Sequence, residues 1–120
     1  NTIDMAKYVT FLLNGGYYGG QRYLSEHLIQ EFTTAQNSLS GRGLGFDVKS
    51  RSDFSSAGTL MSNKSFGHTG FTGTSFWVDP DEKLGVILLT NRVHPYRSYG
   101  SRISAIRAAV ADAAYEAVSQ

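Results

Sequence analysis

Between Phe66 and Thr90 three stretches with strand character follow one another closely: Phe66 to Thr69, Thr74 to Asp79 and Leu84 to Thr90. Parallel neighbours need a crossover of a dozen or more residues, so connections this short demand antiparallel pairing. The first joint is glycine-rich, and the second, Pro80-Asp81-Glu82-Lys83, is turn chemistry. Phe76 and Val78 alternate with Ser75, Trp77 and Asp79, which points Phe76 and Trp77 to opposite faces. Leu84 to Thr90 is an apolar run of the kind found in a strand covered on both sides.

The flanking sequence reads as helical. Thr2 is placed to cap a helix running to about Leu13, with Met5, Val9, Leu12 and Leu13 on one face. Asn14-Gly15-Gly16 ends it, and Tyr17-Tyr18-Gly19-Gly20 reads as a tight turn. Ser25 caps a short helix with Leu28, Ile29 and Phe32 as its apolar side. Loop residues fill 38–43. Leu44, Phe46 and Val48 then alternate with Gly45, Asp47 and Lys49 as a half-buried strand. Ser50 to Lys64 reads as a polar, Ser-rich loop or irregular hairpin. Ile103, Ile106, Val110, Ala113 and Ala117 make the stripe of a terminal helix. The order helix, helix, strands, helix predicts an α+β fold, an antiparallel sheet flanked by helices.

Composition removes several functions. The 120 residues carry 11 Lys plus Arg against 10 Asp plus Glu. A net charge of +1, with basic residues scattered apart from loose groupings at Arg92–Arg97 and Arg102–Arg107, argues against nucleic acid as a partner. No cysteine is present, which excludes a disulfide, a thiolate zinc site and a cysteine nucleophile. The three histidines lack a carboxylate pattern for a metal, and no cofactor is expected. The longest apolar run, Val86 to Leu89, is far below the ~20 residues of a membrane span. A chain of this length is expected to be one domain or part of one. Beginning at Asn1 rather than Met, it is expected to be cut from something longer.

The stretch that carries chemistry is Gly67-His68-Thr69-Gly70-Phe71-Thr72-Gly73-Thr74-Ser75. Three glycines at a spacing of three interrupt a strand and turn, a sign of close approach by a ligand or another backbone. Between them stand an imidazole, a hydroxyl and a backbone N–H, the groups a site for an anionic or carbonyl substrate uses. The same residues also suit a tight hairpin with a surface histidine. His27 reads as a surface residue of the second helix, and His94 as a loop residue near the rim of any site. Asp79, Asp81 and Glu82 read as turn residues rather than a paired-carboxylate site. Gly41-Arg-Gly-Leu-Gly45 precedes a strand and so is no dinucleotide fingerprint. Asn63-Lys-Ser65 is a chance match to a glycosylation sequon.

His68-Thr69-Gly70 on a strand, the strand ending Asp79-Pro80, and Gly85-Val-Ile-Leu-Leu-Thr-Asn91 together resemble the C-terminal part of the serine β-lactamase and penicillin-binding-protein superfamily. The class C β-lactamase-like esterases and D-Ala peptidases are the branch most similar, and Asp4-Met5-Ala6, Leu13-Asn14-Gly15-Gly16 and Leu24-Ser25 fit it too. The resemblance covers nearly the whole chain and is weakest from Ser50 to Lys64. It implies the C-terminal portion of the β-lactamase/transpeptidase-like fold and no metal. In that family the third motif, Lys-Thr-Gly or His-Thr-Gly, lines one wall of the active site. Carried over, His68 tunes the proton network and favours an anionic substrate. Thr69 hydrogen-bonds a substrate carboxylate or carbonyl, Gly70 lets the substrate backbone lie against the strand, and Thr72 adds to the substrate-binding set. The amide of Phe71 is one of two oxyanion donors. Histidine in place of lysine makes anion affinity pH-dependent, since imidazole is only partly charged at neutral pH.

Two family motifs are absent. The residues three before each lysine are Asp4, Phe46, Met61 and Pro80, so there is no Ser-x-x-Lys. No asparagine has Tyr or Ser two places before it, so the second motif is missing as well. The resemblance then implies residues 1–120 as a single partial domain, with nucleophile and base on an N-terminal remainder. It implies a parent hydrolase acting on an ester, amide or β-lactam carbonyl of a small molecule or cell-wall peptide, in the cell envelope or periplasm, with cytoplasm also open. The chain alone is expected to be inactive. The alternative is a non-catalytic module binding cell-wall peptide or glycan, appended to a larger enzyme such as a glycoside hydrolase.

Overall fold

The computed structural model describes residues 1–37, 39 and 41–119, and for residues 99–101 the backbone only. Asn1, one residue earlier than expected, caps α1 (Thr2–Leu13): its Oδ1 accepts the Asp4 N–H at 3.0 Å. Such a cap contributes about 1 kcal/mol. Val9 and Leu12 are buried, while Met5 and Leu13 are only half-buried. The Tyr-Tyr-Gly-Gly stretch is more than a turn. It forms the first strand and bend of a small hairpin, β1 (Tyr17–Tyr18) against β2 (Gln21–Arg22). Ser25 caps α2 (Glu26–Thr33) as expected, its Oγ accepting the Leu28 N–H. Of the apolar side assigned to this helix Ile29 is buried, but Phe32 is exposed and Thr33 turns inward. A buried hydroxyl is tolerated there because it donates to its own helix, at Ile29 O, 2.8 Å away.

The main sheet is antiparallel throughout, in the order β3 (Asp47–Val48), β4 (Phe66–Thr69), β5 (Ser75–Asp79), β6 (Leu84–Leu88). The expected strand at 44–49 shrinks to two residues. Leu44 is exposed, and Lys49, expected to face water, is buried. Its ammonium donates to the carbonyls of Thr59 and Met61, which have no strand partner and need a donor.

One face of the sheet packs on α1 and α2 through Val9, Leu12, Ile29, Phe66 and Val78. The other packs on α3 (Gly100–Val118) and the irregular segment at 50–64 through Ala57, Met61, Trp77, Val86 and Ala111. Phe76 and Trp77 therefore do face opposite sides, and β6 is covered by α1 on one face and α3 on the other.

Ser50 to Lys64 is irregular, as expected, but it is not a solvated loop. Ala57 and Met61 are core residues. Asp112 of α3 accepts the N–H groups of Thr59 and Leu60 at 2.7 and 2.9 Å. At the far end Asp79, expected as a turn residue, has no accessible surface and accepts from the Ser62 N–H and hydroxyl at 2.6 and 2.7 Å. Two carboxylates thus replace the strand ladder that this segment lacks. The terminal helix is also rotated from its expected stripe. Ile103, Arg107 and Ala111 are buried, whereas Ile106 is 48% exposed and Ala113 and Ala117 face water. An arginine occupies the buried register because of what it holds, described next.

Candidate active-site wall

β3 pairs only with Phe66 and Gly67, so the outer edge of β4 is open from His68 onward. Past Thr69 the chain turns through residues 70–74, closed by Gly70 N–H to Thr74 O at 2.7 Å and Gly73 N–H to Gly70 O at 3.1 Å. Every carbonyl of this loop is taken by a donor. Arg107 Nη2 donates to Gly70 O at 2.8 Å and to Thr74 O at 2.9 Å. Arg92 Nε donates to Phe71 O at 2.6 Å, and the Arg92 backbone N–H to Thr72 O at 2.8 Å. The Thr90 hydroxyl donates to Gly73 O at 2.8 Å. The amides of Phe71 and Thr72, by contrast, have no acceptor among the described residues. Successive outward N–H groups on a turn form an anion-binding concavity.

Glycine is required at 73 on two counts. Its φ is +115°, and a Cβ there would lie 2.5 Å from Thr90 Oγ1. At Gly70 a Cβ would lie 2.2 Å from Thr74 Oγ1, so this glycine also serves the closure of its own loop.

A cavity of about 330 Å³ beside the loop is lined by Thr69, Gly70, Phe71, Arg92, Ser104 and Arg107. Thr69, Gly70 and Phe71 of the sequence-predicted set are thus brought together. His68 and Thr72 are not. Strand alternation puts His68 on the α1 face with Phe66, where its ring is exposed. Its Nδ1–H donates to Thr69 O at 3.0 Å, leaving Nε2 as the free ring nitrogen. Thr72 is exposed at the loop tip. His27 and His94 are exposed and line neither wall of the cavity.

Arg92 and Arg107 escaped the sequence reading. The Arg92 guanidinium lies 4.5 Å from the centroid of the Phe71 ring, which is 68% exposed, a cation–π contact that fixes the side chain without burying it. Arg107 is 8% exposed. Burial, and after it the charge of Arg92, pull its guanidinium below its ordinary pKa, yet arginine stays cationic in proteins. One signal did exist for Arg107: it lies four residues from both Ile103 and Ala111, a charge on the inner stripe of a helix. Among the described residues no group of three or more His, Asp or Glu could hold a metal ion. None of the described helices is long and apolar enough to cross a membrane.

The family model described as Beta-lactamase matches residues 1–111. Proteins named provisionally as D-alanyl-D-alanine carboxypeptidases from Escherichia coli and Salmonella gallinarum are 36% and 35% identical over 95 residues, 78% of this chain. The chain spans only 22% of the length of these relatives. A solved structure of a beta-lactamase from Mycobacterium bovis superposes over the whole chain with a TM-score of 0.78 at 25% identity, and the chain covers 45% of it.

Proposed function

Because the chain belongs to the beta-lactamase family, we propose that it forms one wall of the active site of a serine hydrolase that attacks an ester, amide or β-lactam carbonyl through an acyl-enzyme. The observation that carries this reading is the Phe71 amide, unpaired at the end of an open strand edge whose loop carbonyls are all engaged elsewhere. In the reaction a serine hydroxyl, from polypeptide outside these residues, adds to the substrate carbonyl. The bond's electron pair moves onto oxygen, and the Phe71 N–H accompanies the developing charge. A donor of this kind is worth about 2.7–4 kcal/mol in the transition state. The leaving group departs with a proton, and water then releases the acyl group from the serine.

The open edge of β4 at His68 and Thr69 supports an extended substrate backbone laid alongside, in the manner of strand addition. The Thr69 hydroxyl, on the cavity side of the strand, favours a substrate that carries a carboxylate. The names of the relatives put peptides ending in D-Ala-D-Ala first among such substrates, and a cell-envelope or periplasmic location goes with that choice.

The test is made on the full-length protein, with a fluorescent penicillin and a D-Ala-D-Ala peptide. Expected are a covalent adduct of one penicillin on one serine, release of D-alanine, and loss of both when that serine becomes alanine. A protein that binds peptidoglycan fragments yet forms no adduct and releases nothing is the binding module instead.

A further inference from the structure

We infer that Arg107 is a positioning residue that aims the Phe71 N–H at the substrate, with Arg92 doing the same for the next peptide unit; this rests on the reading of Phe71 as the oxyanion donor. Gly70 C=O and Phe71 N–H belong to one planar trans peptide and point in opposite directions. Whatever holds the carbonyl therefore sets the direction of the amide. Arg107 Nη2 holds Gly70 O at 2.8 Å and Thr74 O at 2.9 Å, reaching from α3. Arg92 Nε holds Phe71 O at 2.6 Å, which orients the Phe71–Thr72 peptide in turn.

Two backbone bonds, Gly70 N–H to Thr74 O and Gly73 N–H to Gly70 O, form the turn, and Arg107 holds those same two acceptor carbonyls from outside it. A leucine at 107 would fill the buried register between Ile103 and Ala111 without the desolvation cost of a cation. The guanidinium adds something a leucine lacks: a charge-assisted hydrogen bond to the carbonyl side of the donor peptide. Such a bond both fixes the plane and polarises the amide, strengthening its N–H as a donor.

The experiment uses the full-length protein with Arg107→Lys, Arg107→Met and Arg92→Gln. It measures kcat and KM, affinity for an aryl boronic acid that forms a tetrahedral serine adduct, and hydrogen exchange at the amides of Gly70, Gly73, Thr59 and Leu60. Arg107→Met is expected to lower kcat about 100-fold, the loss typical of a misplaced catalytic group, with KM changed less than about threefold. Arg107→Lys, which retains a donor and a charge, restores about tenfold of this, and boronate affinity follows kcat across the series. Exchange accelerates at Gly70 and Gly73 but not at Thr59 and Leu60, which Asp112 of the same helix holds. A rise in KM at constant kcat, or equal loss of protection at both places, overturns the inference. Should the unsubstituted protein form no acyl adduct, the hydrolase reading alone falls. Loop-selective exchange in Arg107→Met, lessened in Arg107→Lys, then still upholds the hold on the peptide plane, and unchanged exchange in Arg107→Met overturns it.

Discussion

Asp79 shows how much a single carboxylate can hold. It has no accessible surface, and burial by itself would raise its pKa. Hydrogen bonds from the Ser62 N–H and hydroxyl, and from the Glu82 and Asp81 N–H groups, outweigh burial and leave it below the ordinary value. A folded pKa under the unfolded value of about 3.9 means that stability is complete above that value and lost as pH falls through the folded one. Asp79→Asn, which turns an NH₂ toward those donors, is expected to cost about 1.5–3 kcal/mol at pH 7. Urea unfolding at pH 7 and pH 3 checks this: the gap between the two proteins must narrow at pH 3, and a constant gap refutes the assignment. At this scale the sequence was legible only locally. The amides of Asp81 and Glu82 are implicit in the Asp79-Pro80 turn, whereas Ser62, seventeen residues away, leaves no trace. Arg107 was hidden because a hydropathy stripe counts Ile106 as core, while the structure exposes it in favour of an arginine whose carbonyl partners lie 37 and 33 residues away.

Among the elements, α1 and β6 meet at Gly85. A Cβ there would lie 2.2 Å from Val9 Cγ1, far inside contact. Val9 cannot turn aside cheaply, since a β-branched side chain in a helix has one favoured rotamer. Gly85→Ala is therefore expected to push the helix from the sheet at about 1–3 kcal/mol. Val9→Ala opens the space, so the double variant should be more stable than the sum of the two losses by about 0.5–3 kcal/mol. Strict additivity in thermal or urea unfolding would place the helix elsewhere. The double coverage of β6 was readable in Leu84 to Thr90, and the capping of α2 in Ser25. The edge strand β3 was not, because Leu44 and Phe46 alternate correctly but only Asp47 and Val48 find a partner. Patterns of two-residue period report a pleat, not the length over which a neighbour pairs with it.

For the molecule as a whole, short connections settled the antiparallel order and the helices on either face, since those depend on chain geometry more than on particular contacts. The coil at 50–65 stayed opaque, being held by Lys49, Asp79 and Asp112 rather than by periodicity. The His-Thr-Gly strand was found, but its two side chains diverge to opposite faces, so the cavity belongs to Thr69, Gly70 and Phe71 with two unforeseen arginines. That division of parts predicts how a polypeptide of residues 1–120 behaves by itself. It offers an aimed amide and a hydroxyl but no Ser-x-x-Lys. Enzymes stripped of their nucleophile retain about 10³–10⁴-fold acceleration from a complete oxyanion hole and substrate binding. One donor without an opposing wall falls far short of that. The purified polypeptide, showing helix and sheet by circular dichroism, should hydrolyse nitrocefin and p-nitrophenyl esters within about tenfold of the buffer rate, and no faster than its His68→Ala variant. Turnover above that variant would mean that these residues contain a nucleophile of their own, with the exposed His68 imidazole the first suspect, and would remove the need for a serine from elsewhere.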